Sequence, residues 1–167
     1  TLKYNREKKS EIKLSLFFKE ESEYYKNRLQ KNSIDFTIFL EDDFSISINR
    51  GKIVQIIDNL ISNSEYWLIK LKGNDPNCKP SITIKIESPW IYFYDNGYGI
   101  SPAIENMLFE PFVTTKPKGE GRGLGLFIIQ QLLDSSKCTI ALEPFRNEHG
   151  RKYIFAINFS NIINEYK

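Results

Sequence analysis

The sequence contains few residues of the types that build metal clusters or disulfide frameworks. Its 167 residues include two cysteines, Cys78 and Cys138, and one histidine, His149. Two cysteines this far apart form neither a zinc-ligand pattern nor a disulfide framework, so we expect a reducing, cytoplasmic compartment. His149 precedes Gly150 between two predicted strands, and we interpret it as a surface turn residue.

The sequence also lacks long apolar runs and an excess of one charge. No stretch approaches the roughly 18 consecutive apolar residues of a membrane-spanning helix, and we expect no signal peptide. Lys and Arg are scattered among Asp and Glu, with a net charge of +2, which argues against a nucleic-acid-binding surface. The chain begins with Thr1 rather than Met, so we expect a piece of a longer protein whose membrane anchor or sensor would lie outside it.

Hydrophobic periodicity predicts three main helices and six strands. Ser10 is predicted to cap a helix over 10–30, and stronger helical patterns follow over 52–71 and 124–134. A short helix is predicted over 102–108, with Ser101 as its cap and Pro102 in its first turn. The predicted strands cover residues 35–40, 44–48, 81–87, 90–94, 139–142 and 153–159.

These strands come in pairs joined by short turns, with "EDD" as the turn of the first pair and helices between the pairs. This order predicts an α+β fold, in which one mostly antiparallel sheet carries three helices on one face. The nearly all-apolar strand 90–94 is expected at the centre of the sheet.

Two asparagines of the second helix indicate a candidate cation site. Asn59 and Asn63 are four residues apart, so they share a helix face that is not the apolar stripe. An amide oxygen on that face can coordinate a hard cation in the presence of nucleotide phosphates. The alternative is a pair of solvated surface residues.

The segment "DNGYGI" follows the apolar strand at the point where that strand ends. Asp95 can accept a hydrogen bond from an exocyclic amine at the bottom of a pocket. Gly97 and Gly99 lack a Cβ, which allows the backbone to approach a flat ring. The alternative is an ordinary turn in which Asp95 bonds its own backbone.

The segment "GEGRGLGL" leads into the third helix. Glycine-rich backbone before a helix N-terminus offers free N–H groups and a positive dipole end to a phosphate. Lys116, Lys118 and Arg122 add positive charge, although the segment has no Walker pattern. The alternative is a flexible surface loop.

In chain order, these features closely resemble the ATP-binding domain of the GHKL superfamily, which includes sensor histidine kinases, DNA gyrase, mismatch-repair ATPases and a class of heat-shock chaperones. The asparagine, first glycine, phenylalanine and second glycine boxes of the kinases resemble "QIIDNLISN", "DNGYGI", "LFEPF" and "GRGLGL". The resemblance covers about residues 10–160, between a polar lead-in over 1–9 and a tail over 161–167. It implies the Bergerat fold, a two-layer α/β sandwich with a mobile ATP lid at about residues 101–122.

The resemblance also implies ATP or ADP and Mg²⁺ as cofactors. Asn63 would be the Mg²⁺ ligand, and Asn59 its catalytic companion. Asp95 would bind the adenine amine, Gly97 and Gly99 would frame the ring, and Trp67 could stack on it. Phe109 and Phe112 would be hinge points of the lid. The other implied nucleotide-binding residues are Ile100, Thr115, Lys116, Gly121, Arg122, Gly123, Leu124, Gly125 and Leu126.

Two departures from the family pattern bear on mechanism. Tyr66 occupies the position where the kinases usually have a basic residue, so phosphate charge would come from Lys116, Lys118 or Arg122. Hydrolytic members carry Glu at the position of Asn59, and an amide cannot take a proton from water. This favours the kinase branch.

The resemblance therefore implies the catalytic domain of a sensor histidine kinase, which transfers the γ-phosphoryl of ATP to a histidine on a separate dimerisation domain. The implied partners are the dimerisation and phosphoacceptor helices of the parent protein and, through the parent, a response regulator, with no nucleic acid. One alternative is an ATP-driven conformational module or ATPase that phosphorylates no protein, and another is a module that has lost nucleotide binding.

Overall fold

The computed structural model describes residues 8–164, and the predictions for residues 1–7 and 165–167 lie outside the described part. The elements in chain order are β1 (Ser10–Lys13), α1 (Leu14–Gln30), β2 (Asp35–Asp42), β3 (Ser45–Ile48), α2 (Arg50–Asn74), β4 (Ser81–Glu87), β5 (Trp90–Asp95), a short 3₁₀ helix (Pro102–Met107), α3 (Gly125–Asp134), β6 (Thr139–Leu142), β7 (Ile154–Asn158) and a second 3₁₀ helix (Ser160–Ile162).

The main sheet has five strands in the order β2-β4-β5-β7-β6, so β5 is central as predicted. Only the β2–β4 pair is parallel, and the other three pairs are antiparallel. Alternate residues of each strand face the helices, since side chains in a strand alternate between the two faces. One such buried row crosses four strands through Ile86, Ile91, Ile157 and Ile140. The predicted α+β sandwich with a mixed, mostly antiparallel sheet is confirmed.

The helical layer buries the apolar stripe of α2 against this sheet. Asn49 caps α2, and its side-chain oxygen accepts a hydrogen bond from the Gly51 N–H at 2.8 Å. On the side toward α1, the Arg28 guanidinium donates to Ser62 Oγ at 2.9 Å and to Glu65 Oε1 at 3.0 Å. The Arg28 contacts thus join α1 to α2 within the helical layer.

The prediction of a hairpin over 35–48 within one sheet is wrong. After β2, Asp42 is still part of the main sheet, where its carbonyl accepts from Ser88 N at 3.0 Å. Two residues later, the Phe44 carbonyl accepts from Leu14 N at 3.0 Å, and β3 pairs with β1 in a separate two-stranded sheet. The "EDD" segment therefore connects two sheets, because each strand finds a better partner elsewhere in the chain.

The prediction that Ser10 caps the first helix is also wrong, because Ser10 begins β1 and pairs with Ile48. The helix begins at Leu14, after Lys13, whose side chain makes no capping bond. The capping oxygens come from Asp43, which accepts from Ser15 N at 3.0 Å and from Ser15 Oγ at 2.5 Å. A cap from a remote loop leaves no signal next to the helix it caps.

One smaller feature differs from its prediction, and a second adds to the predicted outline of the chain. The short helix after β5 is a 3₁₀ helix, and Ser101 precedes it without a side-chain capping bond. Part of the predicted tail is packed on the small sheet, where Ile163 bridges to Ile46 and Asn164 N donates to the Ser45 carbonyl at 3.0 Å.

Candidate functional site

The candidate site is built around Asp95, the last residue of β5. Asp95 pairs with the buried Ile82 in the antiparallel register, so its side chain faces the helical layer. Its Oδ2 accepts from Ser64 Oγ of α2 at 2.6 Å, and its Oδ1 accepts from Gly97 N at 2.9 Å. Burial raises the pKa of the Asp95 carboxyl, while these two hydrogen bonds lower it. The structure therefore holds one oriented carboxylate on the helix side of the sheet.

Ser64 is a site residue that was missed at the level of the sequence. It is buried, with 4% of its surface exposed, and it lies in the apolar stripe of α2 between Leu60 and Leu68. A lone hydroxyl in an otherwise apolar stripe was the available signal, because a buried hydroxyl needs a hydrogen-bond partner.

The two glycines after Asp95 have protein atoms close to the position that a Cβ would occupy. A Cβ on Gly97 would lie 3.0 Å from Asp95 Oδ1 and 3.3 Å from Leu68 Cδ2. Gly99 has φ +89°, and a Cβ there would lie 2.8 Å from both Arg151 Cβ and Asn147 Nδ2. Close packing within the protein is thus a reason for both glycines, and their role in framing a ring stays a prediction.

The predicted polar residues of α2 lie along one side of the helix. Asn59, Asn63 and Trp67 are spaced four residues apart, and all three are half-buried. Asn59 Nδ2 donates to the Gly125 carbonyl at 3.5 Å, so the asparagine face lies beside the start of α3. The Asn63 amide has no hydrogen-bond partner among residues 8–164. The structure thus brings the asparagine box and the second glycine box together.

The start of α3 leaves backbone groups without side-chain caps. Leu124 is the N-cap residue and makes no side-chain capping bond, so the first N–H groups of the helix have no side-chain acceptor there. A Cβ on Gly125 would have no atom within 4 Å. Gly123 has φ +68°, and a Cβ there would lie 2.5 Å from the carbonyl carbon of Phe112. Gly125 therefore faces open space, whereas Gly123 is fixed by the backbone of the segment before it.

The segment between the short 3₁₀ helix and α3 contacts α2 through Tyr66. The Tyr66 hydroxyl donates to the Glu120 carboxylate, which raises the pKa of Tyr66 to about 12. Lys116 Nζ lies 4.4 Å from the centroid of the Tyr66 ring, and Lys70 Nζ lies 3.6 Å from Glu120 Oε2. Desolvation lowers the pKa of Lys116.

Among the three cations predicted to neutralise phosphate, Lys116 is half-buried beside Tyr66, while Lys118 and Arg122 are exposed. Thr115 is exposed, whereas Ile100 and Leu126 pack against the core. Gly121 is half-buried, and a Cβ there would meet the Lys116 side chain at 2.5 Å.

The two predicted hinge phenylalanines differ in environment. Phe109 packs against the core, with its ring centroid 6.3 Å from that of Phe155. Phe112 is 74% exposed and has φ 67°, and its N–H donates to the Gly123 carbonyl at 2.9 Å. Phe109 therefore anchors the segment, and Phe112 lies where the segment turns back toward α3.

A cavity of about 330 Å³ lies behind the Asp95 loop, on the opposite face of the sheet. Thr83, Tyr94 and Tyr153 are among its lining residues, and none of the lining residues belongs to α2, α3 or the segment over 101–122. Asp95, Gly97 and Asn147 also line this cavity, so it shares the Asp95 loop with the site described above, although it lies on the other face of the sheet.

The described residues include no group of three or more His, Cys, Asp or Glu side chains that could hold a metal ion. Mg²⁺ needs no such group, since it commonly binds through one or two protein oxygens, substrate phosphates and water. The unpartnered amide of Asn63 suits that mode of binding. Within residues 8–164, no helix is long and apolar enough to cross a membrane.

Comparison with known proteins gives consistent results. The family model described as "Histidine kinase-, DNA gyrase B-, and HSP90-like ATPase" matches residues 48–161. The two-component sensor PprA of Pseudomonas aeruginosa is 34% identical over 88 residues, which are 49% of this chain and 9% of PprA. The sensor protein kinase PilS of the same species is 28% identical over 139 residues, which are 82% of this chain and 25% of PilS. The chain thus spans a quarter or less of the length of these relatives.

Solved structures share the fold over nearly the whole chain. The catalytic domain of histidine kinase ThkA in a nucleotide-free form superposes with a TM-score of 0.68 and 25% identity, covering 91% of this chain and 98% of that one. Full-length ShkA in complex with AMPPNP superposes with a TM-score of 0.71 and 18% identity, covering 95% of this chain and 32% of that one.

Proposed function

The chain belongs to the histidine kinase-, DNA gyrase B- and HSP90-like ATPase family, and from this premise we propose that it binds Mg·ATP and transfers the γ-phosphoryl to a histidine on a separate dimerisation domain of its parent protein. The observation that carries the proposal is the Asp95 carboxylate, which Ser64 and Gly97 hold in one orientation on the helix side of the sheet. The similarity to sensor kinases such as PilS and ThkA supports it.

In this proposal, Asp95 recognises the adenine by accepting a hydrogen bond from its exocyclic amine. An ionised carboxylate is an acceptor only, so it complements the exocyclic amine of adenine and repels the carbonyl that guanine has at the same position. The two protein hydrogen bonds fix the orientation of the carboxylate before nucleotide arrives, which lowers the entropic cost of binding. Trp67, half-buried one turn beyond Asn63, is the residue proposed to stack on the ring.

The asparagine face and the start of α3 would hold the triphosphate. Asn63 would contribute its amide oxygen to Mg²⁺, which would neutralise charge between the phosphates. Backbone N–H groups over 121–126, with the positive end of the α3 dipole, would bind phosphate oxygens. Lys116 would supply the positive charge that Tyr66 lacks, because it already lies over the Tyr66 ring.

Phosphoryl transfer needs positioning and charge neutralisation more than covalent chemistry by the enzyme. Asn59 carries an amide hydrogen-bonded to the Gly125 carbonyl, and an amide cannot act as a general base toward water. This supports transfer over hydrolysis. The histidine acceptor, the response regulator, the lid over 101–122 and a cytoplasmic location are parts of the same proposal.

Nucleotide binding is tested by calorimetry on this chain with Asp95→Asn. Replacing the carboxylate by a mixed amide should weaken Mg·ATP binding at least about tenfold, which corresponds to ~1.4 kcal/mol. Asp75→Asn is the matched control, because Asp75 makes an exposed turn bond to Asn77 N at 3.2 Å that an amide oxygen can also make. Absence of ATP and ADP binding to the unsubstituted chain would refute the proposal, and equal binding by Asp95→Asn would refute the role of Asp95.

Phosphoryl transfer is tested on the full-length parent with γ-labelled ATP. Label that is stable to base and labile to acid on the protein is expected for phosphohistidine. Release of labelled free phosphate, with no label on the protein, would favour the ATP-driven conformational module instead.

A further inference from the structure

The turn between β6 and β7 packs against the loop that follows Asp95. Lys152 in this turn accepts from Ile100 N at 2.8 Å through its carbonyl. Arg146 donates to Glu105 Oε1 at 2.7 Å, and Glu105 belongs to the short 3₁₀ helix after the loop. The turn is therefore attached both to the end of the loop after Asp95 and to the first part of the proposed lid.

Asn147 of this turn hydrogen-bonds the loop through its side chain. Its Nδ2 donates to the Tyr98 carbonyl at 3.0 Å and to the Gly97 carbonyl at 3.5 Å. Its Oδ1 accepts from His149 N at 2.9 Å and from Arg151 N at 3.1 Å. An amide has two donor hydrogens and two acceptor lone pairs, so all four are used.

The hydrogen bonds of Asn147 fall into two groups, one within the turn and one to the loop. The acceptor half of the Asn147 amide closes its own turn, and the donor half holds the neighbouring loop. Gly97 then connects Asn147 to Asp95, because its N–H donates to Asp95 Oδ1 at 2.9 Å while its carbonyl accepts from Asn147. Gly99 allows this approach, since a Cβ there would lie 2.8 Å from Asn147 Nδ2.

We propose that Asn147 is a positioning residue for nucleotide recognition, which acts by holding the Gly97 and Tyr98 carbonyls so that the Gly97 N–H orients the Asp95 carboxylate. This inference rests on the proposed function for its consequence in ATP binding. Its structural content, the coupling of the turn to the Asp95 loop, is measurable without nucleotide.

Asn147→Asp is the informative variant. The carboxylate has nearly the same shape and still accepts from His149 N and Arg151 N, so the turn closes as before. Its second oxygen faces the two carbonyls that the amide hydrogens bonded, and that contact is repulsive. The substitution thus separates closure of the turn from positioning of the loop.

The first measurement is amide hydrogen exchange on this chain without nucleotide. In Asn147→Asp, the Gly97 and Ile100 amides should exchange at least about tenfold faster, while the His149 and Arg151 amides stay protected. Unchanged exchange at Gly97 would overturn the proposal, and so would equal loss of protection in the turn and the loop, which would mean a general structural role.

The second measurement is calorimetry with Mg·ATP and with Mg·tripolyphosphate, which probes the phosphate region alone. Asn147→Asp should weaken ATP binding about tenfold and leave tripolyphosphate binding within about twofold, because only adenine recognition depends on Asp95. Asn161→Asp is the control, since Asn161 Nδ2 also bonds a carbonyl, that of Ser136 at 3.0 Å, in the turn after α3.

The failures of the two proposals are distinguishable. If the unsubstituted chain binds no nucleotide, the proposed function fails, and the exchange experiment still decides whether Asn147 positions the loop. If the unsubstituted chain binds ATP and Asn147→Asp binds it equally well, the positioning role is wrong and the proposed function stands.

Discussion

The hydrogen bond between Ser64 and Asp95 lets us predict how much Ser64→Ala destabilises the protein. The substitution removes a buried hydroxyl that donates to Asp95 Oδ2 at 2.6 Å. Asp95 keeps one hydrogen bond, from Gly97 N at 2.9 Å. The change therefore leaves one oxygen of a buried carboxylate without its partner from α2.

The expected destabilisation at neutral pH is that of losing a hydrogen bond to a charged group, about 1.5–3 kcal/mol. For a chain of this size, such a loss lowers the Tm by about 3–12 °C. The truncation removes a single oxygen atom, so the cavity it leaves adds little.

The destabilisation should depend on pH, with a definite sign. Burial raises the pKa of Asp95 in the folded protein above that of the unfolded chain, so ionising Asp95 in the folded state costs stability. That cost is absent below the unfolded pKa and grows as the pH rises through the folded pKa. Ser64→Ala removes a bond to the carboxylate and raises the folded pKa further. Its effect should therefore be largest at neutral pH and fall to about 1 kcal/mol or less on acidification, when Asp95 is protonated in both proteins.

The assay is chemical denaturation of both proteins at neutral pH and at a series of lower pH values. Ser62→Ala is the matched control, because Ser62 lies two residues earlier on α2 and its exposed Oγ accepts from Arg28. We expect the control to cost no more than about 0.5 kcal/mol at any pH. A Ser64→Ala cost that does not fall on acidification, or that is no larger than the control at neutral pH, would refute this account of Asp95.

Two further predictions concern the proposed lid. Gly123→Ala should expose the lid to proteolysis and weaken ATP binding, since a left-handed backbone strain of ~1–2 kcal/mol adds to overlap of the new Cβ with the Phe112 backbone. The control Gly125→Ala should leave the free chain intact or stabilise it by up to about 1 kcal/mol. Similar protease digestion of the two variants would contradict this prediction. Tyr66→Phe should speed amide hydrogen exchange in the segment around Glu120 without changing the Tm, because it removes one exposed hydrogen bond from the Tyr66 hydroxyl to Glu120. Unchanged exchange would mean that Tyr66 does not hold the lid.

Elements that depend on local pattern could be predicted from the sequence. The alternation over Ser81–Glu87 and the apolar run in Trp90–Asp95 became neighbouring strands of the main sheet, and the stripe of α2 became its buried face. Pairing across the chain could not be predicted. The strands over 35–48 have a hairpin pattern, yet β2 pairs with β4 and β3 with β1, because the free energy of pairing depends on partners that lie far away in sequence.

The same distinction between local pattern and distant pairing explains which residues of the candidate site could be predicted from the sequence. Asp95 and the glycines after it form one contiguous pattern, since a strand end, a carboxylate and a close backbone approach are encoded within a few residues. Ser64 and Asn147 bond this loop from 31 and 50 positions away. Ser64 gave a weak signal in the sequence, as a hydroxyl in an apolar stripe. Asn147 gave none, because asparagine is common in turns. Sequence thus identifies the groups proposed to touch a ligand more readily than those that hold them in place, because the first lie within one short pattern and the second bond the loop from distant parts of the chain.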